Sequence, residues 1–150
     1  GLKVGSRIII PNGVIPVITV AQSVNFTASF GSNGYDFGWC TWYVANRRAQ
    51  LGHPVPNNLG NAYSWFILAQ RAGLPTGYTP RVGAVAVNQA GNHVSVVERV
   101  NADGSFIVSE MNSRGWDSIN TVGVAGHEAG GWDHLDYKRI AAVGSLAFIY

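Results

Sequence analysis

Cysteine is nearly absent from this chain: Cys40 is the only one in 150 residues. It has no disulfide partner within the chain and no companion cysteines of the kind a structural zinc site uses. Charge is scarce too, at 12% of residues, with a formal net charge of +2. Such a weak basic balance leaves no footprint for nucleic acid. The basic residues are scattered singly apart from Arg47-Arg48 and Lys138-Arg139, which read as solvated faces or helix-end charges favoured by the macrodipole. No run approaches the ~20 apolar residues of a membrane span. Internal repeats and low-complexity tracts are also missing. What remains is a 47% hydrophobic chain, long enough for one core that buries about 70% of the unfolded surface. Low charge together with 19 glycines suits an extracellular protein better than a cytosolic one. There is no signal peptide, and the chain opens abruptly at Gly1-Leu2, as a mature fragment would.

Residues 2–30 alternate β-branched runs with Pro11-Asn12-Gly13 and Pro16, which predicts short strands or an extended arm. The Ser-, Asn- and Gly-rich stretch 23–34 reads as a linker, which puts an arm at 1–33 and the main domain at 34–150. Helix formers dominate from Cys40 to Leu51, before Gly52 and Pro54. A second helix is expected from Asn61 to Ala72, capped by Asn61, with Ala62, Trp65, Phe66 and Ala69 as its apolar stripe and Gly73 and Pro75 at its end. The period then changes. Val82–Val87, His93–Val100 and Ser105–Met111 read as strands, the last two joined by the turn signal Asn101-Ala-Asp-Gly104. Residues 113–139 read as irregular, and Ile140–Tyr150 as one or two closing strands. Helices first and antiparallel strands afterwards predict an α+β domain.

A lone cysteine is either a packed, inert residue or a nucleophile. Cys40 stands where a helix should begin, and a helix N-terminus favours a thiolate and offers free N–H groups to an oxyanion. A nucleophile also needs a base, and the base an orienting group. If Val100 pairs with Ser105 across the four-residue turn, paired numbers sum to 205; His93 then faces Asn112, with Glu110 diagonal on the same sheet face. Taken singly, His93 would be a half-exposed strand histidine and Glu110 a solvated carboxylate. Their shared face, together with a cysteine at a helix start, predicts a catalytic constellation. His127, Glu128, Asp133 and His134 match no metal-ligand spacing, and a glycine-rich surface loop is the simpler reading there.

Five ordered blocks then resemble one family: Tyr35-x-x-Gly-x-Cys-Thr-Trp-Tyr-Val44, Gly60-Asn-Ala-x-x-Trp65, Pro80-Arg-Val-Gly-Ala-Val85, His93-Val-Ser-Val-Val-Glu98 and Ser109-Glu-Met-Asn112. They are similar to CHAP domains (cysteine, histidine-dependent amidohydrolase/peptidase) of the NlpC/P60 superfamily. The resemblance implies a papain-like α+β fold, with N-terminal helices packed on an antiparallel sheet, and hydrolysis of peptidoglycan amide bonds by a secreted or envelope protein. It implies Cys40 as nucleophile, His93 as general base and later acid, Glu110 as the group orienting the imidazole, and Asn112 as a further polar catalytic position. Tyr35 is the implied substrate-binding or oxyanion residue; Trp39, Trp42 and Trp65 read as part core and part substrate-binding groove wall, with Trp39 a further oxyanion candidate, and Trp116 and Trp132 are candidates to cover the groove or plug it. No metal or other cofactor is expected, and with only Asp36 near the cysteine no calcium loop is either. Peptidoglycan is the expected partner of a monomeric enzyme, without nucleic acid or membrane insertion. Two positions depart from the family pattern: Trp39 stands where many members have Gln, and Asn92 where many have Gly. They support the competing reading, a wall-binding module without turnover. Separately, Leu2–Pro11 resembles the end of a LysM glycan-binding repeat, a hint of a longer parent protein.

Overall fold

The computed structural model describes residues 26–113, 121–123 (backbone only) and 132–150. The strands expected in the arm, the LysM-like phrase, Trp116, His127 and Glu128 all lie outside these residues. The fold is α+β, with two helices packed on one face of an antiparallel sheet. Helix α1 spans Cys40–Gln50. It ends as its sequence predicts, because Gly52 takes φ +78° while Gly52 N–H donates to Ala49 O and His53 N–H to Arg48 O, a Schellman closure. The second helix departs from its expected form. It opens as a single 3₁₀ turn, Ala62–Ser64, before α2 proper at Trp65–Arg71, and the Asn61 side chain makes no capping bond. Instead the Ser64 hydroxyl donates to the carbonyls of Leu59 and Asn61. The predicted stripe is buried throughout.

Among the described residues the sheet has seven strands: β1 Thr76–Gly77, β2 Val85–Asn88, β3 His93–Val100, β4 Phe106–Met111, β5 Thr121–Gly123, β6 Leu135–Ile140 and β7 Ala147–Ile149. Their order is β1-β7-β2-β3-β4-β6-β5. Alternation splits the side chains between two cores. Val85, Val87, Val94 and Val96 pack beneath the helices with Trp65 and Leu59, whereas Ala86, Val97, Phe106, Val108 and Phe148 form a second cluster on the opposite face.

Three expectations need correction. The hairpin turn is one residue longer than read: Val100 pairs with Phe106 rather than Ser105, so pairs near the turn sum to 206. A bulge at Glu98 then restores the sum of 205 at Val97↔Val108 and Val96↔Ser109, where the ladder stops. His93 and Asn112 are therefore not a rung. Second, the segment read as irregular contains β5 and β6. Strand β6 escapes a hydrophobicity reading because its inward positions are Asp136, Lys138 and Ile140, two of them charged. Third, the basic pairs are not simply solvated faces, although Arg47 and Arg48 do stand in the last turn of α1, the helix-end placement that is the other expectation. Arg48 is buried and donates to the Gly83 carbonyl, and Lys138 is buried as well. Arg47 makes a two-pronged pair with Glu98, both contacts at 2.8 Å, and Glu98 also accepts from the Ser109 hydroxyl at 2.6 Å.

These contacts dock α1 on β3 and β4. At its other flank, Asn33 Nδ2 donates to Trp42 O and Asn46 Oδ1. Residues 27–32, read as part of a linker, are tied to the 57–58 loop through Ser29, Thr27 and Ser32. Among the described residues Trp65 is the largest fully buried side chain, and it belongs to the core under the helices. Trp65→Ala is expected to destabilise the domain by about 3–5 kcal/mol, read as a lowered denaturation midpoint at unchanged slope.

Candidate active site

The backbone places Cys40 as the first residue of α1. Trp39 precedes it in an extended conformation (φ −92°, ψ 160°) and offers no side-chain cap, since an indole N–H can only donate. The first intrahelical bond runs from Tyr43 N–H to Trp39 O. The N–H groups of Cys40, Thr41 and Trp42 thus have no intrahelical acceptor. This end of α1 borders a cleft of about 550 Å³ whose walls include Trp39, Cys40, Thr41, His93 and Asn112. Gly38 is needed just before this turn. Its φ is +83°, and a Cβ there would lie 2.4 Å from the Trp132 ring.

Cys40, His93 and Glu110 are 7%, 6% and 4% exposed. His93 begins β3, and its Nε2 lies 2.7 Å from Glu110 Oε2 on β4. The Cys40 thiol also hydrogen-bonds the imidazole, and with Nε2 committed to Glu110 the nitrogen left for it is Nδ1. Burial alone would lower the pKa of His93. The bonds with Cys40 and Glu110 and the charge of Glu110 outweigh it and push the imidazole up to about 9. For Glu110 the balance runs the other way. Burial would raise it, but the bond and charge of His93, with Lys138 adding to them, hold the carboxyl below its ordinary value. An imidazolium between a thiol and a carboxylate is the arrangement that stabilises a thiolate.

The remaining predicted residues fall in different places. Asn112 lines the cleft and takes φ +54°. Asn92 also lines it, at φ +49°. That is the left-handed region, which Gly adopts freely and Asn tolerates better than most other residues. Asn92 Oδ1 also accepts from Tyr63 N–H at 2.9 Å. Tyr35 borders the cleft, but its hydroxyl donates to Pro56 O at 2.6 Å and accepts from Leu59 N–H at 3.1 Å. Burial then raises it to about 12, so its proton is already engaged. Trp39 is half exposed on the cleft wall. Trp42 instead packs edge-on to Phe37 at 4.6 Å. Trp65 is fully buried with its N–H on Gly60 O at 3.0 Å, which places it in the core and out of reach of substrate. Trp132 is more than half exposed; it donates to Phe37 O at 3.0 Å and meets the Phe37 ring edge-on.

The sequence reading missed Lys138, whose Nζ lies 3.0 Å from Glu110 Oε1 with both side chains 5% exposed. It also missed Asp136, directly across the ladder from Glu110. Period-two alternation over Leu135–Ile140 could have found both, had charged residues been allowed to face inward. Among the described residues no group of three His, Cys, Asp or Glu side chains converges as a metal site would require.

Comparison with known proteins matches the CHAP domain to residues 30–112. The probable autolysin LDP of Staphylococcus aureus is 42% identical over 105 residues, 69% of this chain and 38% of that protein. The N-acetylmuramoyl-L-alanine amidase sle1 of Staphylococcus epidermidis is 46% identical over 82 residues, 53% of this chain and 25% of that one. A crystal structure of an N-acetylmuramoyl-L-alanine amidase from Staphylococcus aureus superposes with a TM-score of 0.65 at 32% identity, covering 80% of this chain and 32% of that one. This chain therefore spans about two fifths or less of these relatives' lengths. The match covers more than half of the chain and includes the helix start, the histidine strand and the glutamate strand described above: the chain belongs to the CHAP domain family.

Proposed function

We propose that this chain carries the catalytic unit of a peptidoglycan hydrolase. It would cut an amide bond of the wall peptide, as an N-acetylmuramoyl-L-alanine amidase or an endopeptidase, at the cell envelope or outside the cell. Residues 34–150 form that unit, with residues 27–33 tied to it by the hydrogen bonds described above. The observation that carries the reading is a single cysteine at a bare helix N-terminus, sharing one buried histidine with one buried glutamate beside a cleft. The cleft chemistry fits as well: Asn57, Asn58, Asn61, Asn92 and Asn112 supply neutral donors and acceptors suited to amide groups.

In this mechanism the Cys40 proton has already passed to His93 when substrate binds, and the thiolate attacks the scissile carbonyl carbon. The carbonyl oxygen takes up the negative charge and is met by the free N–H groups of the first turn of α1. The imidazolium then gives its proton to the amide nitrogen as the C–N bond breaks, leaving a thioester on Cys40. Neutral His93 next takes a proton from water, whose oxygen attacks the thioester carbonyl, and the thiolate leaves. Glu110 keeps the imidazole in one orientation and stabilises its charged form through both steps. Every group named belongs to the chain itself.

Cys40→Ala is expected to abolish release of new amines or peptides from purified sacculi while leaving binding to them intact. Release persisting in that variant would exclude thiol chemistry, whereas wild type releasing nothing from several peptidoglycan types would favour a wall-binding module. Glu110→Gln is expected to lower kcat about 100-fold or more and, because it removes the carboxylate that pairs with both His93 and Lys138, to lower the melting temperature as well. The pH profile has a defined sign. His93 must be protonated to serve as the acid, and its protonated form is populated below about pH 9 and lost above it. Activity should therefore fall as pH rises through 9, and in Glu110→Gln that limb should move to lower pH.

A further inference from the structure

Glu110 has two oxygens, and only one faces the histidine. We propose that Lys138 is a positioning residue of this site: its ammonium, paired with the far oxygen of Glu110, fixes that carboxylate in its charged form against His93. The inference rests on the Cys-His-Glu reading above and deepens it.

Strand register puts the four groups together. Glu110 faces Asp136 across the β4–β6 ladder, and Lys138 is two residues along β6 on the same face. Glu110, Asp136 and Lys138 are 4%, 1% and 4% exposed. Among the described residues, the charged and titratable groups facing Glu110 are His93 from β3 and Asp136 and Lys138 from β6, with Cys40 of α1 acting through His93. Two carboxylates opposite each other in a ladder repel, and burial strengthens the tendency of one of them to take up a proton. A cation must therefore be present at all times if Glu110 is to stay charged.

His93 cannot be that cation throughout turnover. It is an imidazolium before the amine leaves and a neutral imidazole when it activates water. During the neutral phase, Glu110 would confront Asp136 without the histidine's charge. Lys138 takes no part in the proton transfers, so its 3.0 Å contact with Glu110 is available through both steps. Its fixed ion pair also holds one carboxylate oxygen, so the other keeps its 2.7 Å contact with Nε2. An aliphatic residue opposite Val108, where Lys138 stands in the ladder, would fill the space and do neither.

The test needs no substrate, because Cys40 is the only thiol in the chain and its alkylation by iodoacetamide, read as one mass adduct, follows the charge state of the site. Removing a nearby cation makes loss of a proton harder. Lys138→Met, confirmed folded by circular dichroism, is expected to alkylate roughly threefold or more slowly than wild type near pH 6, while Lys138→Arg, which keeps the charge, stays close to wild type. Asp136→Asn removes an anion and is expected to shift the rate the other way. A purely structural ion pair would lower the melting temperature of Lys138→Met and leave its alkylation profile where wild type has it, which overturns the proposal. Should Lys138→Met fail to fold, Lys138→Gln replaces it with the same expectation, and an unchanged profile in Asp136→Asn overturns the proposal independently. A wild-type chain with the expected alkylation profile that releases nothing from sacculi would contradict the hydrolase reading alone.

Discussion

The 2.7 Å contact between His93 Nε2 and Glu110 Oε2 is the interaction on which the rest of the site depends. Both groups are buried, so each would ordinarily prefer its neutral form. With the Cys40 thiol as the imidazole's other partner they reverse that preference: the imidazole is pushed up to about 9 and the carboxyl is held below its ordinary value. Breaking such a buried pair leaves an uncompensated charge, which generally costs about 3–5 kcal/mol. The sheet spends three inward positions on this arrangement, at His93, Glu110 and Lys138, where apolar residues would pack with less difficulty. That is the physical mark of a face kept for chemistry.

The thiol reaches the pair because α1 is held in place. Arg47 on Glu98, Glu98 on Ser109, Arg48 on Gly83 O and Asn33 on Trp42 O fix the helix to the sheet and to the segment before it. The bulge at Glu98 belongs to this system, since the extra residue carries the carboxylate that Arg47 grips. Beyond Val96↔Ser109 the β3–β4 ladder stops, and the cleft opens past its end. Two left-handed asparagines, Asn92 and Asn112, line that cleft. Backbone of this kind is held by surrounding structure and gathers at functional sites.

Much of this could be read from the residues. The limits of α1 follow from helix formers and Gly52, the buried stripe of the second helix from its 3.6-residue period, and the convergence of His93 with Glu110 from strand alternation. The register was reached through two compensating departures, a turn one residue longer and a bulge that takes the residue back. Neither leaves a hydrophobic signature. Strand β6 was hidden for a related reason: Asp136 and Lys138 point inward, and alternation is ordinarily recognised by apolar residues on the buried face. Trp65 carried two readings, core by its place in the helical stripe and groove wall by its place in the family's blocks, and its burial decides for the first. What sequence pattern misses here is mainly buried charge, because its stability comes from partners distant in the chain.

The central claim is that Cys40 and Glu110 together hold His93 as an imidazolium at neutral pH. An NMR titration of the His93 ring nitrogens, assigned by comparison with His93→Gln, measures this directly. The account predicts a doubly protonated ring at pH 7 that loses its proton near pH 9. A neutral ring at pH 7, titrating near the ordinary histidine value of about 6.5, would contradict it.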